Sequence, residues 1–477
     1  MTFLVDGANS ASGAWKVENS LRFNDDDSPK LAITPGSAGN RKIFTISFWV
    51  KRGNITDQMN IFGTASEGDA LYFASDDKLR FFQNGSASSY LGTNRLFRDP
   101  AAWYHIVVAV DTNQGTAANR VKLYINGSQY TWDASTTYPA EDYEGDINNT
   151  ADAHMIGNAH HNDYFDGYLS EFYFIDGTQY AASNFGEADE DTGIWIPKNA
   201  KNDLTFGTNG FFLEFKETGT SANASGMGAD TSGNGNHLTP TNLAAHDVCT
   251  DTPQNNFATM NPISQYGITF AEGNLSVQGA NSSGYSVCTG TWEVPRYGKW
   301  YYEVEVDVFG GTNHEYIGIK RSDLQLEAGA YDLHSSTCQW YQSTDGSNGS
   351  FRDESTTTAT ATALRHSAGD ILMVAIDMDS DKMWFGKNGT WYDDDATTDG
   401  DPAAGSNQTC TPNNGYTWHF FSGGGNNAVK YLYNFGNPPF SISSGNSDAN
   451  DYGNFEYAVP SGFYALCTKN LAEYGGN

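Results

Sequence analysis

Residues 103–111 read WYHIVVAVD and residues 121–127 read VKLYING. The first is an apolar, β-branched run that ends in an aspartate. The second alternates, with Val121, Leu123 and Ile125 on one side and Lys122 and Tyr124 on the other. A period of two is the pattern of a half-buried strand and does not fit a helix. Asn126-Gly127 then places two residues that tolerate φ > 0 where a type I′ hairpin turn needs them. Strand, polar turn, strand and tight turn follow from these residues alone.

The design returns further on, in GDILMVAID (369–377) followed by KMWFGKNG (382–389). No short period recurs along the chain, so the echo is read as convergence on sandwich hairpins and not as a solenoid. Around the first hairpin, TISFWV (45–50), LYF (71–73) and LRFF (79–82) read as strands. Around the second, residues 300–308 alternate Tyr302, Val304 and Val306 with Glu303, Glu305 and Asp307, as in an antiparallel strand with one solvated face. Between about 188 and 265 the pattern loosens into Gly, Asn and Thr, and only 210–215 reads as a strand. That stretch is expected to be a connector or wrapping segment, too aromatic to be disordered.

The chain has 477 residues, enough for two or three domains. Its 51 glycines and 14% aromatic content suit many short strands joined by tight turns. Lys and Arg number 26 against 57 Asp and Glu, a formal charge of -31. This argues against nucleic-acid binding, which needs cations to displace the counterions on phosphate. The N-terminal MTFLVDGANSASGAW lacks a basic stretch followed by an apolar run, and no window has the apolar length of a membrane span. Neither export nor membrane insertion is expected. Five widely spaced cysteines without a CxxC pair are read as free or buried thiols.

Five stretches, SLRFN (20–24), FTISFWVK (44–51), WYHIVVAVD (103–111), VKLYING (121–127) and FDGYLSEFYFIDG (165–177), resemble in order and spacing the laminin-G-like, concanavalin A-like lectin sandwiches. GKWYYEVEV (298–306), YIGI (316–319), GDILMVAID (369–377), MWFGKNGTW (383–391) and YNFGNPPF (433–440) resemble a SPRY domain. The join, with ADTSGNGNH (229–237), DTP (251–253) and ATMNP (258–262), is similar to the connector of virion proteins of tailed phages, especially marine ones. The expected fold is all-β: two antiparallel β-sandwich, jelly-roll-like domains joined by an irregular connector. The boundaries are 1–190 for the first sandwich, 191–264 for the connector, 265–442 for the SPRY sandwich and 443–477 for a C-terminal extension.

Sugar recognition stacks apolar ring faces on aromatic side chains. Trp132, Tyr138, Tyr143 and Tyr164 with His160 in the first domain, and Trp340, Tyr341 and Trp391 in the second, are therefore the candidate ligand contacts, each weighed against packing under its own loop. The resemblance to laminin-G sandwiches implies one bound Ca²⁺, expected near Asp25 or Asp166, although the acidic runs at 25–27, 189–191 and 393–395 follow no EF-hand spacing. Glu303, Glu305 and Asp307 are spaced ExExD where concanavalin-like glucanases carry ExDxxE, so a solvated sheet face is expected there. No nucleophile elbow, Walker loop, dinucleotide fingerprint or HExxH motif is present. The expectation is a non-catalytic surface protein of a phage virion, assembled in the host cytoplasm. Other virion proteins and host-surface glycans are its expected partners, and a symmetric homo-oligomer such as a trimer its expected assembly. A glycan depolymerase and a purely structural cement protein are the alternatives.

Overall fold

The computed structural model describes residues 15–66, 68–83, 89–159, 162–279, 285–309, 315–323, 326, 336–342, 348–354, 356–425 and 429–476. The chain divides into two compact units, Met1–Gln254 and Asn255–Asn477. Each is built on a pair of large, mainly antiparallel sheets enclosing a core of its own.

In the first unit Ile43–Arg52 runs between Tyr104–Asp111 and Gly167–Asp176 in an eight-stranded sheet. The facing seven-stranded sheet orders Thr239–Thr241, Lys30–Ile33, His154–Ile156, Met59–Thr64, Ala70–Phe73, Lys78–Gln83 and Ser89–Leu96 side by side. The predicted hairpin is present: Val121–Ile125 and Ser128–Tyr130 pair around Asn126 and Gly127, whose φ angles are 46° and 80°. Its counterpart in the second unit turns at Asn388 and Gly389 with φ of 50° and 84°.

The irregular stretch 191–254 wraps the first unit. Phe211–Leu213 pairs with Gly167–Asp176, Thr239–Thr241 extends the seven-stranded sheet, and Val248–Cys249 pairs with Ser20–Phe23. The Gly- and Asn-rich loop is organised by the buried Asp230, whose carboxylate accepts the amides of Phe212, Ser232 and Asn236 at 2.8–3.0 Å. The segment ends on a buried ion pair, Lys51 Nζ to Asp251 Oδ2 at 2.8 Å, with Trp103 Nε1 donating to the other carboxylate oxygen at 3.0 Å.

In the second unit Lys299–Val308 lies between Lys430–Asn434 and Ile371–Asp377 in an eight-stranded sheet. The facing sheet has seven strands and includes Thr337–Gln342 next to Gly349–Asp353. The solvated carboxylate ladder expected on Lys299–Val308 is not there. Glu303 is fully buried beneath residues 454–465 and accepts the Tyr301 hydroxyl at 2.8 Å and the amides of Glu456 and Tyr457 at 2.9 and 2.8 Å. Glu305 is half-buried, and Asp307 pairs with Lys430 at 3.0 Å. The reason is local: the C-terminal segment brings Phe455, Phe463 and Cys467 over Tyr301, Met373 and Trp384, making a second apolar layer outside the sheet. The extension also adds Tyr464–Ala465, parallel to Lys299–Val308, and the seven-residue helix Thr468–Tyr474. No helix among the described residues is long and apolar enough to cross a membrane. All five cysteines are buried and free.

Candidate binding site at the rim of the first sandwich

The strand Lys78–Gln83 alternates, with Leu79 and Phe81 in the core and Arg80 and Phe82 turned outward. Gln83 continues the inward register, where a core residue is expected to be apolar. Ser89 pairs with Gln83, Asp69 stands one residue before Ala70, and Ala70 pairs with both Gly63 and Phe82. Thr64, Gln83 and Ser89, at the ends of three strands, and Asp69, just before a fourth, therefore lie abreast at the edge of the sheet, and each is at most 2% exposed. Thr64 Oγ1, Asp69 Oδ1, Ser89 Oγ and both polar atoms of the Gln83 amide, Oε1 and Nε2, have no hydrogen-bond partner. Each such buried orphan costs about 1–3 kcal/mol unless something else satisfies it.

The neighbouring loop completes the arrangement. Asp69 Oδ2 accepts the amides of Asp146 and Ile147 at 3.0 and 3.2 Å. Burial and then the Asp146 charge raise the Asp69 carboxyl to about 7, against those two hydrogen bonds and the pull of the Gln83 amide, which lies near the carboxylate without a well-formed hydrogen bond to it. Glycines leave the acids room: a Cβ at Gly68 would stand 2.7 Å from Asp146 Oδ2 and press on Thr64 Oγ1, and one at Gly145 would run into Asp69 Oδ2. Tyr143 borders the group, its hydroxyl pushed up to about 12 by burial and by the charges of Asp69 and Asp146. Two carboxylates, two hydroxyls and an amide carbonyl are the donor set of a hard cation such as Ca²⁺, which takes six to eight oxygens. By donor chemistry the residues fit that ion, with Asp146 also paired to Arg41 at 3.6 Å.

One residue from Gln83 the other sheet face begins. Phe82 is opposite Tyr90, and Tyr72 is opposite Arg80. All four are half-buried. The Arg80 guanidinium lies 5.5 Å from the Tyr90 ring centre and donates to Asp76 at 2.7 Å. The loop after Tyr130 docks along this edge through Asp133 N to Gly92 O, 2.9 Å, and paired backbone hydrogen bonds between Tyr90 and Thr137. Aromatic faces, a cation and carboxylates thus stand beside the rim.

Of the residues singled out from sequence, Tyr143 belongs to this rim. Tyr138 is half-buried against the core. Trp132 is a core residue whose Nε1 donates to Val121 O at 3.0 Å, so it is not a ligand contact. Trp340 is likewise corrected: it lies in the strand Thr337–Gln342, fully buried, with Nε1 held by Leu364 O at 2.7 Å. Tyr341 is buried beneath the Arg352 guanidinium, 3.8 Å from its ring centre. Trp391 is half-buried among the residues under the C-terminal segment. Tyr164 is half-buried in the loop closed by Phe165 N to Gly157 O, and His160 lies outside the described residues. Asp25 and Asp166 are not at the rim. Both stand by the loop that precedes Met59–Thr64, at the other end of that strand: the Asp25 carboxyl is raised by burial and by Asp26 and bonded to Asn54, and Asp166 O accepts the Gly53 amide. Asp189 and Asp393 accept amides of their own loops.

A buried Ser47–His105 contact of 3.0 Å does not make a nucleophile and base. Trp195 Nε1 donates to His105 Nδ1 at 2.9 Å, which leaves the ring proton on Nε2, pointing at the serine. Burial alone lowers His105 to about 3.

Residues 25–183 match the family described as the concanavalin A-like lectin/glucanases superfamily, and residues 299–400 match the SPRY domain. The first match falls within the first unit and the second within the second. The rim and its aromatic flank lie within the residues of the first match. No curated protein matches the chain. Among solved structures it is similar to the SPRY domain of human HERC1, at 14% identity over 36% of this chain and 96% of that one, with a TM-score of 0.25. It is similar to a heptameric SAP-like pentraxin from Limulus polyphemus, at 18% identity over 35% and 80%, TM-score 0.27. A third is domain 4 of AbnA, an extracellular arabinanase from Geobacillus stearothermophilus in complex with arabinotriose, at 17% identity over 30% and 64%, TM-score 0.23.

Proposed function

We propose that the chain is a non-catalytic binding protein whose concanavalin A-like domain recognises glycans at its rim, with a Ca²⁺ ion held by Asp69, Asp146, Thr64, Gln83 and Ser89. The observation that carries this reading is the row of buried oxygens without partners beside an aromatic sheet face. A bound Ca²⁺ would accept sugar hydroxyls into its coordination shell. Phe82 and Tyr90 offer apolar surface to a pyranose face, while Arg80, Asp76 and Asp133 offer hydrogen bonds to its hydroxyls. The lectin-like character of the matched domain supports the same reading.

The test is a glycan array run with Ca²⁺ and with a chelator, together with thermal unfolding of Asp69→Asn. Glycan binding that chelator abolishes is expected. Saturating Ca²⁺ is expected to raise the unfolding midpoint of the parent and not of Asp69→Asn, since a ligand at a hundred times its Kd stabilises by about 2.7 kcal/mol. No glycan bound, or a midpoint indifferent to Ca²⁺, would overturn the reading.

The setting we propose is the surface of a tailed-phage virion, among other virion proteins and in a closed homo-oligomer. It rests on the connector sequence at 229–262, and its test is the presence of the chain in purified particles.

A further inference from the structure

Cys338 and Cys410 approach each other from the two sheets of the second sandwich. Cys338 lies in Thr337–Gln342. Cys410 exchanges backbone hydrogen bonds of 3.0 Å with Met383, a residue of Lys382–Lys387 in the facing sheet. Both are buried in the one core of this sandwich, and the Cys410 side chain is among the groups that raise the Cys338 thiol. Both sulfurs rest on consecutive residues of Gly349–Asp353: Cys338 Sγ is 3.7 Å from Asp353 Oδ1, and Cys410 Sγ is 3.4 Å from Arg352 O.

The far side of Asp353 meets an open cavity of about 440 Å³, lined also by Glu354, Asp381, Thr411, Asn413 and Asn414. Asp353 Oδ2 accepts the Thr411 amide at 3.0 Å, so the carboxylate spans the gap between the cavity and the Cys338 thiol. The pairing has no counterpart in the rim site and serves no step of glycan binding.

We propose that Cys338 and Cys410 are a redox-active dithiol that closes to an inter-sheet disulfide when hydrogen peroxide enters this cavity. Cys338 gives its proton to Asp353, and its sulfur attacks a peroxide oxygen. The O–O bond breaks, the leaving oxygen takes up the proton, and one water and a sulfenic acid on Cys338 result. Cys410 Sγ then attacks the Cys338 sulfur. The S–S bond forms as the S–O bond breaks, and hydroxide leaves with the Cys410 proton as a second water. Two electrons pass from the sulfur pair to the peroxide. Burial raises the Cys338 thiol, which keeps the reaction slow, and also raises the Asp353 carboxylate, which makes it a better proton acceptor than an ordinary carboxylate.

The experiment treats the folded full-length chain with hydrogen peroxide, alkylates the remaining thiols in denaturant and maps peptides without reduction. Two of the five cysteines are expected to escape alkylation, in a linked pair of peptides containing Cys338 and Cys410 that dithiothreitol separates. The unfolding midpoint of the second unit is expected to rise by about 5–10 °C on oxidation, and not to rise in Cys410→Ala. Asp353→Asn keeps both thiols and is expected to form the same bond at least tenfold more slowly at neutral pH, with the difference vanishing at high pH. Five thiols still alkylated after peroxide, or Cys338 oxidised to a sulfinic acid without the linked peptide, would overturn the proposal.

Discussion

Glu171 is the residue at which fold and charge conflict most sharply. It sits in a bulge of Gly167–Asp176 at φ 50°, fully buried, and its carboxylate accepts Trp15 Nε1 and the Tyr173 hydroxyl, each at 3.0 Å. Burial raises it to about 8, against those two hydrogen bonds. The folded state thus keeps a proton that the unfolded chain releases near 4.5. Its contribution is fully present below about pH 4.5 and is lost as pH rises through about 8. Glu171→Gln cannot ionise. It is expected to unfold like the parent near pH 4.5 and to be more stable by on the order of a few kcal/mol near pH 9. Denaturant unfolding at both pH values measures this, and an equal loss at both would show that the charge is not the cause. Nothing in the sequence marks Glu171, because neither a bulge nor a wrapped outer face has a local signature there. The same holds for Asp69: an aspartate five residues after Thr64 and fourteen before Gln83 looks like any loop acid until pairing sets the three abreast.

At the scale of elements, the outer sheet faces decide what the irregular segments do. Trp300, Tyr302, Val304 and Val306 face the core as their alternation requires, which leaves Tyr301, Glu303 and Glu305 for the other side. A lone strand pattern makes that side solvent. The C-terminal segment makes it a second interior, and Glu303 fastens the segment through two backbone amides. Glu303→Ala leaves both amides without an acceptor and is expected to cost about 3–5 kcal/mol. Glu303→Gln keeps one acceptor oxygen and is expected to cost less than half as much. Equilibrium unfolding gives the two values. Limited proteolysis should release residues 443–477 from Glu303→Ala first, and a segment equally protected in parent and variant would remove the fastening role. Trp132 and Trp340 teach the converse: Gly- and Asp-rich surroundings left ligand contact and packing both open, and each indole is drawn inward by a backbone carbonyl that needs its N–H.

At the scale of the molecule, each unit encloses its own core and the wrapping segment 191–254 belongs to the first by its strand pairing. Residues 1–254 and 255–477 are therefore each expected to fold alone, with a single cooperative thermal transition and an intact near-ultraviolet spectrum. A first unit ended at residue 190 would leave Phe174 without Phe211 and Lys51 without Asp251, and is expected not to fold. Calorimetry of the three fragments decides this. The sequence by itself determined the strands, the two Asn-Gly hairpins and the sandwich class, because period-two alternation and positive-φ turns are local properties that neighbouring residues carry. Only the tertiary structure decided which polar residues stand in a row at the rim, which tryptophans are buried and which sheet faces are covered. Those depend on register and on what packs across from each strand, and the sequence records neither at the positions concerned.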